Sequence, residues 1–474
     1  VLKGEKMTLP HFQSRVLARA LAVLLLVLGN LCSPAFAAGT IAERVSETVL
    51  PNGLKVLLLE NHKAPVLTFQ VWYRVGSRNE AWEKTGLSHL LEHMMFKGTK
   101  RFGPEQFSRI IQENGGNDNA FTSSDYTAYF ENLSADRVGV AVEMEADRMA
   151  NLLLREEDFR TERLVVMEER RMRTDDDPQA ALQEQLQATA FQQQPYHWPV
   201  IGWMEDIRRL SLKDLEEYYR TYYNPVNAFL VVVGDFKKED LLPQIEKAFG
   251  AIPRGAPPDQ EKSLDPPQLG ERKIVVKKEA QLPFLLMGYH VPNLREPDSY
   301  VLEVIATLLS NGKSSRFYRD LVRERELVLS AEAEHSLLSR DSGLFLISAE
   351  PLPGKEVAQV KKALEQELER LRREPVPAPE LEKVKNLIAA SFLTAQDSLF
   401  FQSMLLAQFE IASSWRAVDD YLPSIQKVTP EDIQRVANQY LIPDRRTTGV
   451  LTPLPPSKEA RTAPGFSIKS KTVR

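Results

Sequence analysis

The stretch Gly86-Leu87-Ser88-His89-Leu90-Leu91-Glu92-His93-Met94-Met95-Phe96 decides how the rest of the chain is read. On a helix, His89 and His93 lie four residues apart, one above the other, with Glu92 on the adjoining edge of the same face. Two neutral imidazoles suit zinc. A catalytic zinc takes a third protein ligand and keeps water in its fourth position, and a carboxylate beside that water can take its proton. The pattern is H-x-x-E-H, the inverted form of the commoner zinc-peptidase motif. With only seven histidines in the chain, chance explains it poorly. Burying two imidazoles and a carboxylate without a cation is costly, which disfavours a purely structural pair. Three non-thiolate ligands beside a base describe an open metal site rather than a closed structural one.

At 474 residues the chain suits two domains. Its formal net charge of -5 gives no reason to expect nucleic acid. Lys3, Lys6, Arg15 and Arg19 precede the apolar run Leu21–Leu28, and Ala35-Phe36-Ala37 follows it. That is the pattern of a cleaved secretory signal over 1–37, with export to the periplasm expected. The run is too short to span a bilayer, so no stable membrane insertion is expected after cleavage. Cys32, the one cysteine, falls inside the segment to be removed, so no disulfide is expected.

Further along, Asn52-Gly53 supplies a positive-φ turn between two β-rich runs, and Val66–Val75 alternates as a strand. A helix is expected over 104–114 and strand formers fill 119–130; two long helical stretches cover 135–153 and 156–191, the second interrupted near Asp177-Pro178. Ser211 opens a further helix, 227–235 reads as a buried strand, 237–249 as a helix, and the proline-rich 255–271 as a linker. The chain then repeats itself. Ser211 and Thr429, Pro225 and Pro443, and Pro65 and Pro283 are each 218 positions apart, which predicts a duplicated unit. The expected fold class is α+β: two homologous α/β-roll domains, each an antiparallel-rich sheet packed with helices, over 45–254 and 272–456, with a tail over 457–474. In this register His89 pairs with Thr307 and His93 with Asn311, so only the first half can hold a metal.

Glu162 and Glu169, two turns apart on one helix face, are the best source of the third ligand. With them, the sequence resembles the pitrilysin family of inverted-motif zinc peptidases, specifically its smaller bacterial members similar to mitochondrial processing peptidase. The resemblance rests on His89-x-x-Glu92-His93, Glu162-Arg163-x-x-Val166-x-x-Glu169, Asn119-Ala120-x-Thr122, Pro199-Val200-Ile201-Gly202 and the duplicated halves. It implies that His89, His93 and Glu169 ligate one zinc per chain, that Glu92 is the general base, and that Glu162 is an acid behind the ligands that supports activity. Glu168 points a helical step away and is excluded. It further implies that a peptide adds to the strand carrying Asn119, Ala120 and Thr122, through main-chain hydrogen bonds. His197 lies outside the motif and reads as structural.

One departure stands out. Active members of the family draw an Arg and a Tyr, seven residues apart, from a segment that here runs from Ser314-Ser315-Arg316 to Leu329-Ser330, with Val322 and Leu329 in their places. The resemblance therefore implies a heterodimer in which a paralogous subunit supplies the Arg and Tyr; Arg323, Tyr318 and Tyr289 are the substitutes within this chain. The expected function is an exported zinc endopeptidase acting on peptides or unfolded segments, against the alternative of a non-catalytic peptide-binding or scaffold subunit of the same fold.

Overall fold

Gly53 takes a φ of 92° and turns the chain at Asn52, whose side-chain amide donates to Phe249 O and Ile252 O at 2.8 and 3.0 Å. The turn joins β1 (Val45–Val49) to β2 (Lys55–Glu60) as an antiparallel hairpin. The computed structural model describes residues 40–104, 106–259 and 264–455. The expected signal segment, its cysteine and the tail lie outside the described residues. Among the described residues no helix is long and apolar enough to cross a membrane.

Added to β1 and β2, the strands β3 (Val66–Tyr73), β4 (Asn117–Thr122), β5 (Thr127–Ser134) and β6 (Ala228–Gly234) form a six-stranded sheet in the order β1-β2-β6-β3-β5-β4. β6 is buried along its whole length, as a central strand covered on both faces must be. A second sheet holds β7 (Arg272–Glu279), β8 (Phe284–Val291), β9 (Val328–His335), β10 (Gly343–Pro351) and β11 (Arg446–Leu454), in the order β7-β11-β8-β10-β9. Shifted by the repeat, this is the order β2-β6-β3-β5-β4, down to the one parallel pair: β2 with β6, and β7 with β11. The predicted duplication is therefore a structural one.

Besides a single helical turn at Ile41–Arg44, the described α-helices of the first half are α1 (Leu87–Met94), α2 (Gln106–Glu113), α3 (Val138–Asn151), α4 (Glu156–Arg170), α5 (Pro178–Ala190), α6 (Met204–Arg209), α7 (Leu212–Tyr222) and α8 (Lys238–Phe249). Those of the second are α9 (Asp298–Ser310), α10 (Val357–Arg373), α11 (Ala378–Ala395), α12 (Leu399–Ala412), α13 (Val418–Lys427) and α14 (Pro430–Tyr440). Ser211 and Thr429 cap α7 and α14 with the same reciprocal box to Asp214 and Asp432. The predicted break between α4 and α5 is a π-helical turn over Arg171–Asp175, after which Asp177 caps α5 and Pro178 opens it.

The two halves exchange equivalent helices. α5 leaves its own sheet and buries Leu182 and Leu186 against Leu286 and Leu451 of the second. Gly449 and Gly288 make the room, since a Cβ on either would stand 2.9 Å from Leu182 Cδ1 or 3.1 Å from Leu186 Cδ2. In return α12 packs on β6 and β3 of the first sheet, where Glu410 meets Lys55 and Arg74, each at 2.6 Å. The described residues from Arg44 onward accordingly form one compact unit, although the linker separates the two sheets in sequence.

Candidate metal centre

α1 is fixed at its start from several sides. Glu80 accepts the backbone N–H groups of Gly86 and Ser88, both at 2.7 Å, satisfying donors that a helix start leaves orphaned. Burial pushes the Glu80 carboxyl up to about 8, with those two bonds opposing it. Gly86 (φ 92°) backs onto Gly202 (φ 86°) so closely that a Cβ on Gly202 would lie 2.5 Å from Gly86 N. Leu87, Leu90, Leu91 and Met94 enter the core, and the other edge of the helix carries His89, Glu92 and His93 toward α4.

There α4 brings up Glu169, with one carboxylate oxygen 3.3 Å from His93 Nε2 and 3.7 Å from His89 Nε2. One ligand atom from each of His89, His93 and Glu169 lies within 4.8 Å of the others, and this is the single such group among the described residues. Glu162, two turns earlier on α4, has one oxygen 3.2 Å from His93 Nδ1 and the other 2.7 Å from Lys97 Nζ. Glu169 uses its remaining oxygen on Arg173, at 2.8 Å. Glu168 turns outward to an exposed pair with Arg171.

Burial, then the charges of His93 and Arg173, pushes His89 down to about 3, so it is neutral. For His93, burial is outweighed by the Glu162 bond and by the Glu169 and Glu92 charges, and its affinity for a proton rises. The carboxylates that favour a positive charge there also favour a metal cation. His89 Nδ1 is buried without a hydrogen-bond partner among the described residues. Two imidazole nitrogens and a carboxylate oxygen around one point, one imidazole held neutral, suit a divalent zinc.

Glu92 accepts a hydrogen bond from Thr122 Oγ1. Burial raises its affinity for a proton, and the Thr122 bond and His93 oppose that rise. Glu162 is shifted the other way: burial is outweighed by its bonds from His93 and Lys97. A cavity of 710 Å³ joins His89, Glu92, His93 and Glu169 to Asn119, Ala120 and Thr122 of β4. Among the described residues β4 is an edge strand, paired to β5 alone. His197 also lines this cavity but packs its ring against Trp82 and Trp198 and stands outside the ligand group. His62 pairs with Asp235 and Glu60, and His290 with Ala190 O.

Sequence reasoning assigned Thr122 to the substrate strand; that its hydroxyl holds Glu92 is a second role, invisible without the fold. Lys97 and Arg173 were missed although both follow a site residue by four positions, the spacing of one helix face. In the second half, Arg316 is buried in a two-bond pair with Glu380, at 3.1 and 2.8 Å. Neither Val322 nor Leu329 lines the metal cavity. Tyr289, a possible substitute, is buried and bonded to Arg446 at 3.3 Å.

The family model described as Insulinase (Peptidase family M16) matches residues 55–202, and that described as the Peptidase M16 inactive domain matches residues 209–388. The zinc protease PqqE of Helicobacter pylori is 34% identical over 450 residues, covering 94% of this chain and 100% of the relative. The crystal structure of a protease from Helicobacter pylori superposes with a TM-score of 0.82 at 34% identity, over 86% of this chain and 99% of that one. The periplasmic protease PqqL of Escherichia coli shares the fold, with a TM-score of 0.73 at 16% identity, over 92% of this chain and 52% of that one. Both halves match the family and a relative aligns along its full length; the chain belongs to peptidase family M16, the pitrilysin-type family that its motifs resemble.

Proposed function

We propose that the chain is an exported zinc-dependent endopeptidase in which His89, His93 and Glu169 hold the metal and Glu92 is the base. The observation that carries this reading is the convergence of those three ligand atoms within 4.8 Å, with Glu92 on the same helix as the histidines. Zinc, when bound, supplies a Lewis acid that lowers the pKa of a water and polarises a carbonyl. Glu92 takes the proton of the attacking water and delivers it to the leaving amine as the peptide C–N bond breaks. Thr122 holds the Glu92 carboxylate in place, and Glu162 orients His93 through Nδ1, as a carboxylate behind a metal-binding imidazole does. The free edge of β4 takes an extended peptide by main-chain bonding, with Asn119 and Ala120 beside the scissile bond.

The Arg and Tyr that Val322 and Leu329 replace come from a paralogous subunit. PqqL, whose chain is about twice as long as the part that shares this fold, motivates this reading. A second reading, a non-catalytic peptide-binding subunit, is favoured by that same replacement. Hydrolysis of a quenched fluorescent peptide by the purified chain, with Glu92→Gln as control, separates them. Activity that Glu92→Gln abolishes, with or without a partner present, supports the peptidase; no activity even with the paralogue added supports the scaffold.

A further inference from the structure

A second cavity, of 840 Å³, adjoins the metal cavity. Gln183 and Gln187, one turn apart on α5, line both. The route from one to the other follows the substrate strand: β4 ends at Thr122 in the metal cavity, and the next four residues, Ser123–Tyr126, line the second. Its walls come mostly from the second half and carry an apolar set: Leu338, Leu344, Leu346, Phe392, Phe401 and Leu405. Its polar lining includes Glu303 and His335; the His335 side chain is 1% exposed, and its Nδ1 stands 3.7 Å from Glu303 Oε2 with no hydrogen-bond partner among the described residues. The volume is that of a site enclosing a drug-sized ligand, several peptide residues rather than one side chain.

We infer that this cavity receives the flank of the substrate peptide that runs past Thr122, and that it selects bulky uncharged side chains such as leucine and phenylalanine a few residues from the cleaved bond. The inference rests on the reading of the metal centre as the place of cleavage. A peptide paired to β4 is extended, and its course beyond Thr122 leads to the Ser123–Tyr126 turn and the apolar walls behind it. Glu303 and Glu334 in its lining oppose an acidic side chain by like charge. The selection is thus made by the half of the molecule that lacks the metal.

The test uses the full chain and labelled decapeptides that carry Leu-Phe, or Asp-Asp in the same places, on one or the other flank of a fixed centre. Binding is read by fluorescence anisotropy and cleavage is read separately. Leu-Phe on one flank should bind about tenfold tighter or more than its Asp-Asp twin, the least that burying one such side chain gives. Phe401→Glu and Leu338→Glu should reduce that preference to less than about twofold. Phe401 is 37% exposed, so its replacement leaves the fold intact, and unchanged melting checks this. Equal binding of the twins, or a preference that both variants retain, overturns the inference. Binding that obeys the cavity, with no cleavage even when the paralogous subunit is added, supports it and removes the peptidase reading instead.

Discussion

Thr122 and Glu92 come from elements thirty residues apart, yet a single hydroxyl–carboxylate bond sets where the base points. Thr122→Val keeps the shape of the side chain and removes the donor. A hydrogen bond to a charged group contributes about 1.5–3 kcal/mol, so kcat should fall about tenfold or more while zinc content stays unchanged. Loss of zinc in that variant would show that Thr122 supports the ligands rather than the base. At this scale the sequence was informative where chemistry is packed into one helical turn: His89, Glu92 and His93 could be read from their spacing, and Glu162 and Glu169 from theirs. Thr122 on Glu92 could not, because that contact forms only when separate elements meet, and Glu80 on the start of α1 could not, because it depends on how the turn between Glu80 and Gly86 folds.

At the scale of elements, α1 depends on two glycines in contact. Gly202 combines a φ of 86° with an approach that leaves 2.5 Å between a Cβ and Gly86 N. Gly202→Ala should destabilise the chain by at least about 1–2 kcal/mol, the cost of a left-handed backbone with a Cβ, before the clash is counted. Because α1 carries both histidines, metal affinity should fall with stability, and a thermal melt followed with and without zinc measures both. Element boundaries were legible where a cap or proline marks them, as at Ser211, Thr429 and Pro178. The partner of α5 was not: Leu182 and Leu186 announce a buried stripe, but periodicity does not say which sheet the stripe covers.

Over the whole molecule, the helix exchange makes the halves interdependent. Residues 45–254 expressed alone would expose Leu182 and Leu186 and lose α12 from the first sheet, so this fragment should lack a cooperative melt; a sharp transition in circular dichroism would contradict the exchange. The 218-residue repeat was visible in sequence because capping and proline positions mark it, whereas the interlocking depends on tertiary packing alone. Within the second half, Glu271 is held down at about 2: burial opposes this but is outweighed by bonds from Lys361 and Thr448 and by the Arg446 charge. A lowered folded-state value contributes stability above the ordinary glutamate range and loses it as pH falls toward the folded value. Glu271→Gln should therefore be less stable than the parent at pH 7, with the gap closing between pH 4.5 and 2. Urea melts across that range test it, and a gap that stays constant would contradict the assignment.

The most direct test of the metal centre is the zinc content of the purified chain beside its Glu169→Gln, His93→Ala and Glu92→Gln variants. About one zinc per chain is expected in the parent and in Glu92→Gln, with zinc lost from the other two, since a site of three protein ligands does not hold its metal on two. Zinc retained in Glu169→Gln at the parent level, or absent from the parent, would contradict the account.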